Sequence, residues 1–384
     1  MAMKTERTFL WAAALLWAAA LLLATALEAQ TAAPWQIGPF TRPASGNPVI
    51  APRPASTFTD PVSNAQVHWE ALHTFNPAAI VRNGKVFVLY RAEDDSGAME
   101  IGGHTSRLGL AESDDGIHFT RQAEPVFFPE KDAEQSREYP GGVEDPRIVE
   151  REDGVYVLTY TQWNRIIYSV GIATSRDLLH WTKQGPAFLH ADGGRDRQLK
   201  YKSAGIVTRL DPARGRLIAA KLAGKYWMYW GEGSIRLAAS TDLIHWSPVE
   251  NAQGNPIQLL GPRQGRFDST FPETGPPPVA TDAGIVVIYN GKNAVSGGDP
   301  DLGPNAYAAG EALFDRTNAA HLIARTDRPG LKPEMPYERT GQYVAGTTFA
   351  EGLVFYHDRW FLYYGCADSL VGVVTAPKAP LGAK

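Results

Sequence analysis

The chain has 384 residues, of which 44% are hydrophobic, 10% aromatic and 20% charged, and its formal net charge is −4. This composition is that of a globular protein with a substantial core and excludes an intrinsically disordered chain. The absence of a basic excess and of long lysine or arginine runs argues against nucleic acid as a partner.

The first thirty residues have the features of an export signal. A positively charged start, MAMKTER, precedes the apolar run FLWAAALLWAAALLLATA and small residues suited to cleavage at Ala26 or Ala29. This pattern predicts a signal peptide over residues 1–30, a secreted or periplasmic location and no stable membrane span after cleavage. The alternative is an uncleaved anchor, because 18 apolar residues could just cross a bilayer. Residues 31–60, rich in Ala, Pro and Thr, are predicted to be an extended lead-in.

A repeated heptapeptide divides the rest of the chain. SDDGIHF begins at Ser113, SRDLLHW at Ser175 and STDLIHW at Ser240, at intervals of 62 and 65 residues. Before each copy, apolar runs rich in Val, Tyr, Phe and Trp flank polar turns, which predicts β-hairpins. With two more such units near residues 273–293 and 351–369, the pattern predicts an all-β fold, a five-bladed β-propeller over residues 61–384. A β-sandwich is the alternative, but it would not explain the period.

The histidine of the heptapeptide raises the hypothesis of a metal site formed by His118, His180 and His245. Equivalent positions in successive blades lie far apart around a ring, so these side chains cannot share an ion. We expect each histidine to belong to the outer turn of its own blade. The sequence therefore predicts no metal ligand, and it predicts no cofactor.

Polar residues stand where the inner strand of each predicted blade begins. Because the first strands of all blades line the central channel of a propeller, the residues at their entrances should converge. The repeat assigns to this position Asn76, Glu144, Asp145, Lys202, Glu273 and Glu351. The ends of the second strands add Arg91, Glu93, Asp94, Gln162, Glu232, Asn290, Lys292 and Asp368. With Trp227, Trp230, Tyr160, Tyr229 and Tyr343 nearby, this pattern predicts a polar pocket with aromatic walls, which suits a sugar.

Cleavage of a glycosidic bond needs an acid for the departing oxygen and a group that supplies the nucleophile. Asp145 is the predicted acid; burial and Glu144 would raise its pKa and Arg147 would lower it, so the net direction is left open. Structural interpretations compete: Asp145 could start a turn, Glu232 could lie in a solvated turn and Glu273 could ion-pair in a loop. Arg91, Glu93 and Asp94 could form a surface charge cluster.

Five ordered motifs resemble glycoside hydrolase family 130, the β-mannoside phosphorylases and β-mannosidases. They are FNPAAIVRNGKVFVLYRAED, GGVEDPRI, GKYWMYWGEG, FPETGPPP with IVVIYNGKN, and YVAGTTFAEGLVFYHDRWFLYYGCADS. The resemblance runs from about residue 60 to residue 375. It implies a five-bladed propeller and inverting chemistry on a terminal β-linked mannose. The aspartate of the EDPR motif, Asp145, is then the acid, which in the phosphorylases acts through a sugar hydroxyl.

The resemblance also implies how the nucleophile is chosen. Phosphorylases of the family gather Arg, Lys or His around inorganic phosphate, whereas a hydrolase branch has glutamates that activate water. Glu232 and Glu273 match the hydrolase branch, which predicts an exo-acting inverting β-mannosidase, above all for β-1,2-mannosides. The residues expected to bind the β-mannoside oligosaccharide are Asn76, Arg91, Asp94, Arg147, Lys202, Asp268, Tyr343 and Asp368.

Two other functions stay open at this point. Arg147, Arg165, Lys202 and Lys292 could form a phosphate site, in which case the protein is a β-mannoside phosphorylase. A secreted propeller could also bind glycans without cutting them. The unlike entrance residues of the five blades favour one asymmetric central site over repeated lectin pockets. The oligomeric state is not indicated.

Overall fold

The described part of the chain is built from short antiparallel strands. The computed structural model describes residues 32–191 and 201–378, so the predicted signal peptide lies outside the described residues. One turn of α-helix, α1 (Gln135–Glu138), and one 3₁₀ turn (Pro336–Glu338) interrupt the strands. Within the described ranges, no helix has the length and apolar character needed to span a membrane.

Five groups of strands follow the sequence repeat, and we call them blades 1 to 5. Blade 1 contains β3 (His73–Arg82), β4 (Lys85–Glu93), β5 (Ser106–Ser113) and β6 (Thr120–Arg121). Blade 2 contains β7 (Gly142–Glu150), β8 (Tyr156–Trp163), β9 (Tyr168–Ser175) and β10 (Trp181–Pro186). Blade 3 contains β11 (Ala204–Ile206), the inserted hairpin β12 (Thr208–Asp211) and β13 (Arg216–Ala219), β14 (Lys221–Leu222), β15 (Lys225–Trp230), β16 (Ile235–Ser240), β17 (Ser247–Pro248) and β18 (Gln258–Leu260).

The last two blades contain five and three strands. Blade 4 contains β19 (Phe271–Thr274), β20 (Val279–Ala280), β21 (Ile285–Lys292), β22 (Tyr307–Phe314) and β23 (Leu322–Arg325). Blade 5 contains β24 (Thr348–Tyr356), β25 (Arg359–Cys366) and β26 (Leu370–Pro377). A small hairpin, β1 (Phe58–Thr59) with β2 (Gln66–Val67), precedes blade 1.

The inner strands of the blades form a closed ring. Strand β3 packs against β7 of blade 2 on one side and against β24 of blade 5 on the other. Strand β7 packs against β11 and β13, β12 pairs with β20, and β21 and β22 pack against β24. Blade 1 therefore meets blade 5, and the predicted five-bladed β-propeller is confirmed.

The repeated heptapeptide forms the turn after β5 in blade 1, after β9 in blade 2 and after β16 in blade 3. In blade 1, one oxygen of Asp115 accepts hydrogen bonds of 2.8 Å from the main-chain nitrogens of Ile117 and His118. The other oxygen lies 2.7 Å from Nδ1 of His118. The same contacts recur around Asp177 in blade 2 and Asp242 in blade 3. Each histidine thus belongs to an outer turn held by its own aspartate, as expected.

The segment predicted as an extended lead-in packs along the outer strand of blade 5. Thr41 forms a β-bridge with Thr375 of β26. The side-chain amide of Asn47 donates to the main-chain oxygen of Val373 at 2.8 Å and accepts from its nitrogen at 2.9 Å. Residues 41–50 therefore cover the edge that the three-stranded blade 5 would otherwise expose.

Candidate active site

A cavity of about 280 Å³ lies where the inner strands of the five blades begin. The predicted site residues that line it are Asn76, Arg91, Asp145, Lys202, Glu232, Glu273, Tyr343 and Asp368. The other lining residues are Phe75, Ile101, Gly102, Glu144, Thr161, Trp163, Tyr168, Tyr307, Gln342, Thr347 and Phe349. The structure therefore brings Asp145 together with both glutamates in one asymmetric cavity.

Three β-bulges shape the floor of this cavity. The extra residues of the bulged strands are Asn76 in β3, Asp145 with Pro146 in β7, and Glu351 in β24. Asn76 and Asp145 both have positive φ, 45° and 46°, and both precede a proline, which lacks the N–H that a regular ladder requires. The bulges re-aim these side chains, and the Asn76 amide donates to Asp145 at 2.8 Å across the blade boundary.

Arg91 is shared by three carboxylates. Its guanidinium lies 2.6 Å from Glu93, 2.8 Å from Glu144 and 3.1 Å from Asp145, and it stacks over the ring of Phe75. All four charged side chains are buried. One cation therefore faces three carboxylates, and this arrangement leaves an excess of negative charge beside the cavity.

The two adjacent acids, Glu144 and Asp145, respond to this environment in opposite directions. Burial raises the pKa of Glu144, and the neighbouring Asp145 adds to the rise. Burial acts in the same direction on Asp145, but Arg91, Lys202 and Arg147 outweigh it and lower the pKa of this carboxyl. The direction left open by the sequence is thus downward for Asp145, and the pair retains one proton toward neutral pH, mainly on Glu144.

Lys202 lies between the two glutamates. Its Nζ atom is 3.7 Å from a carboxylate oxygen of Glu232 and 3.7 Å from one of Glu273. Glu232 and Glu273 also form a β-bridge, which joins blades 3 and 4 at this point, and Ser203 donates to Glu273. Burial raises the pKa of Glu273 to about 7, with Lys202 opposing the rise and Glu232 adding to it. Glu273 is therefore poised to take a proton near neutral pH.

The cations considered for a phosphate site do not gather. Arg91 and Lys202 are the cations among the described residues that line the cavity, and both are paired with carboxylates. Lys292 lies outside the lining, 5.6 Å from the ring centres of Phe271 and Tyr307. Arg165 is also absent from the lining. The cavity therefore presents carboxylates around its cations, an unfavourable setting for a phosphate dianion.

Three residues expected to bind substrate are not part of the cavity lining. Arg147 lies beneath it, with a side chain that is 1% exposed. Asp94 is 2.6 Å from Arg107 and so anchors the end of β4. Asp268 is 2.6 Å from Arg325 in blade 4. The sequence predicted all three to bind substrate, but buried charges also require partners, and these residues have them within the protein.

The aromatic walls also differ from the sequence prediction. Of the predicted rings Tyr343 lines the cavity, whereas Tyr160, Tyr229, Trp227 and Trp230 do not. Tyr160 and Tyr229 are buried between blades, where they donate to Glu138 and to the main-chain oxygen of Ala319. They belong to strand interiors, where side chains alternate between the two faces of the sheet.

Sequence reasoning missed four lining residues, three at strand ends and the last in the loop before β24. They are Trp163, Tyr168, Tyr307 and Gln342. Trp163 and Tyr168 pair across the turn of the β8–β9 hairpin, with ring centres 6.2 Å apart. Trp163 directly follows Gln162 at the end of the second strand, and this position was the available signal.

The arrangement has the groups needed for acid–base cleavage of a glycosidic bond. Asp145 and Glu144 together hold a proton, and Glu273 with Glu232 offers a base for an attacking molecule in the same cavity. Arg91, Asn76 and Asp368 add charged and amide groups suited to hydroxyl recognition. The rings of Trp163 and Tyr168 offer faces for stacking on a sugar.

Comparison with known proteins agrees with this chemistry. The family model Glyco_hydro_130, described as beta-1,4-mannooligosaccharide phosphorylase, matches residues 45–380. A 1,2-beta-oligomannan phosphorylase of Thermoanaerobacter sp. (strain X514) is 32% identical over 333 residues, which are 86% of this chain and 94% of that protein.

Two solved structures are more similar still. One comes from work described as "The GH130 family of mannoside phosphorylases contains glycoside hydrolases that target beta-1,2 mannosidic linkages in Candida mannan". It is 50% identical, covers 91% of this chain and 97% of its own, and superposes with a TM-score of 0.88. The other is a glycosyl hydrolase from Bacteroides ovatus, 48% identical, with 89% and 95% of the two chains covered and a TM-score of 0.87.

Proposed function

Since the chain belongs to glycoside hydrolase family 130, we propose that it is an exo-acting, inverting β-mannosidase that hydrolyses terminal β-linked mannose. The family membership makes the protein a glycoside-active enzyme. We propose β-1,2-mannosides as its substrates, because the 32% identical phosphorylase acts on a 1,2-beta-oligomannan and the 50% identical structure belongs to work on hydrolases of beta-1,2 mannosidic linkages.

The observation that carries hydrolysis is the position of Lys202 between Glu232 and Glu273. Inorganic phosphate carries about two negative charges near neutral pH, so it needs cations that are not already neutralised. In this cavity a phosphate would meet two carboxylates, whereas a water molecule would meet a base. The raised pKa of Glu273 supports its role as the group that takes the proton of the attacking water.

Asp145 takes the role of the acid at the opposite side of the bond that breaks. Its carboxylate is held by Asn76 and Arg91, and its neighbour Glu144 keeps a proton toward neutral pH. In this proposal the proton passes from Glu144 to Asp145 as the bond breaks, which leaves Glu144 ionised beside Arg91. From Asp145 the proton reaches the departing oxygen, directly or through a mannose hydroxyl.

A phosphorylase is the second candidate, favoured by the more distant relatives, which are a 1,2-beta-oligomannan phosphorylase and a beta-1,2-mannobiose phosphorylase. In that case Lys202 would leave the glutamates and bind phosphate. The proposal of hydrolysis depends on this pairing being maintained when substrate is bound.

Product analysis with and without phosphate separates the candidates. The purified protein is incubated with β-1,2-mannobiose in phosphate-free buffer and followed by proton NMR. We expect mannose to form at the same rate with and without phosphate, first as the α anomer. Release that requires phosphate and yields mannose 1-phosphate would refute hydrolysis. Binding without any product would instead indicate a glycan-binding propeller.

Export is a separate part of the proposal. The charged start and apolar run of residues 1–30 support cleavage and a secreted or periplasmic location. Sequencing the N-terminus of protein from the expressing cells tests this, because cleavage leaves a chain that begins near residue 30. A retained N-terminus in the membrane fraction would indicate an anchor.

A further inference from the structure

A second cluster of polar side chains lies beside the cavity, in blade 1. His73, Glu93 and His104 each offer one ligand atom, and these three atoms lie within 4.8 Å of one another. Glu93 and His104 are buried, with 1% and 3% of their surface exposed. Two imidazoles and one carboxylate form a donor set that zinc prefers.

The fold itself brings the three residues together. His73 begins β3 and pairs directly with Glu93 at the end of β4. His104 comes at the end of the loop over residues 94–105, just before β5. Asp94 ties the two ends of this loop, since one of its oxygens accepts from Ser96 and from the main-chain nitrogen of Thr105. The donor atoms are therefore held by main-chain pairing and need little ordering to bind an ion.

Each imidazole ring has its Nδ1 atom held by a neighbouring polar group. Nδ1 of His104 lies 2.9 Å from the main-chain oxygen of Ser96, which places the proton on Nδ1 and leaves Nε2 as an acceptor. Nδ1 of His73 lies 2.9 Å from the hydroxyl of Ser369. Neither Nε2 atom forms a hydrogen bond with another described residue. Glu93 is fixed in turn by Arg91 and Gln342.

The local charge also favours a cation. Arg91 is the one guanidinium shared by Glu93, Glu144 and Asp145, so the carboxylates of this group are not fully balanced even while Glu144 keeps its proton. A divalent ion at Glu93 would offset the remaining negative charge. The guanidinium does not exclude the ion, because carboxylates that bind metals commonly accept hydrogen bonds from other groups.

We propose that His73, Glu93 and His104 bind a divalent transition-metal ion of the zinc class, with a water molecule as the fourth ligand. Tetrahedral zinc needs its ligand atoms about 3.3 Å apart, so small side-chain rotations close the site. The ion clamps β3, β4 and the loop of residues 94–105, whose Ile101 and Gly102 line the cavity. The role of the ion is to hold the loop of residues 94–105 in place at the cavity. This role does not depend on which reaction the cavity catalyses.

Metal binding can be measured directly. The full-length protein without affinity tag is stripped with a chelator, and zinc is titrated against a chromophoric competitor; elemental analysis gives the stoichiometry. We expect one equivalent in the wild type and a loss of affinity of about a hundredfold or more in His104→Ala. Cobalt substitution should give the visible absorption bands of a tetrahedral site. His68→Ala is the matched control, since His68 is exposed and pairs with Asp95 of the same loop.

Ser369→Ala provides a milder test, because it removes only the hydrogen bond to His73. We expect the affinity for zinc to fall about tenfold or more while the fold is kept. A stripped wild type that takes up no zinc would overturn the proposal, and this measurement needs no variant. Unchanged stoichiometry and affinity in His104→Ala would overturn it as well.

Discussion

Arg147 donates a 3.0 Å hydrogen bond to the main-chain oxygen of Asp145, the proposed acid, from beneath the cavity floor. The same guanidinium donates to the main-chain oxygens of Thr274, at 2.8 Å, and Gly275, at 3.0 Å. Thr274 directly follows Glu273, the proposed base. Arg147 thus links the main chains that carry the acid and the base, and it lies 2.8 Å from Glu351 of blade 5. It is a positioning residue that spans three blades.

Arg147→Lys should lower kcat by about a hundredfold with a smaller change in KM, because a single ammonium cannot replace the planar fork and the acid and base shift apart. Steady-state kinetics measure the split, and the melting temperature reports any loss of stability. Arg151→Lys, in the exposed turn after β7, is the control and should leave kcat unchanged. Wild-type kcat in Arg147→Lys would show that the link is not needed.

Asp145→Asn should lower kcat by about a thousandfold, since the amide cannot deliver a proton to the departing oxygen. The amide can still bond to Asn76 and Arg91, so the cavity should keep its shape. Initial rates on β-1,2-mannobiose check the loss, and Asp153→Asn in an exposed turn serves as the control. A variant that keeps a tenth of the wild-type rate would rule out Asp145 as the acid.

Glu273→Gln and Glu232→Gln should both lose hydrolysis, and Glu273→Gln should lose more, about a hundredfold or greater, because the buried carboxyl with the raised pKa is the better base. Rates are measured with and without phosphate. If either variant leaves the phosphate-free rate intact, its glutamate does not activate water. If neither variant loses hydrolytic activity, the attacking water is activated at a different site.

Lys202→Met should move the acid limb of the kcat/KM profile to higher pH by about one unit. The base must be ionised, and Lys202 favours the ionised form of Glu273 by opposing the rise in its pKa. Removing that cation therefore raises the pKa further. Lys292→Met is the control, because Lys292 lies among aromatic rings and should not shift the limb. If the acid limb of Lys202→Met does not move, Lys202 does not influence the pKa of the catalytic base.

Glu311→Gln should make stability less dependent on pH. Glu311 is buried in blade 4, where it accepts from the main-chain nitrogen of Ile37, and burial raises its pKa to about 8. Between the ordinary pKa of a glutamate and about 8, Glu311 stays protonated in the folded protein but is ionised in the unfolded chain. The stability that its protonated form contributes is therefore complete below the ordinary pKa and is lost as pH rises through about 8. Between about pH 6 and pH 9, wild type should lose on the order of 2 kcal/mol of unfolding free energy relative to the variant. Denaturant titrations at both pH values measure this, and parallel curves would contradict it.

Much of this protein follows from local sequence. The spacing of SDDGIHF, SRDLLHW and STDLIHW predicted the blades, because each turn is made by contacts within a few residues, such as Asp115 with His118. The repeat also predicted that Asn76, Asp145, Lys202 and Glu273 would meet, since equivalent strand entrances converge on one axis. The Asn76–Pro77 and Asp145–Pro146 steps carried the signal for the bulges, although their φ angles appear only in the structure.

The tertiary structure alone decided which charges face the cavity and which lie beneath it. Arg147, Asp94 and Asp268 look like site residues in the sequence, yet each has partners from distant segments, such as Glu351, Arg107 and Arg325. Lys202 stands between two glutamates because the paired strands β11 and β15 of blade 3 meet β19 of blade 4 at this point. Local patterns fix strands and turns through neighbouring residues; the pairing of buried charges depends on which strands become neighbours in the ring, and no local pattern contains that information.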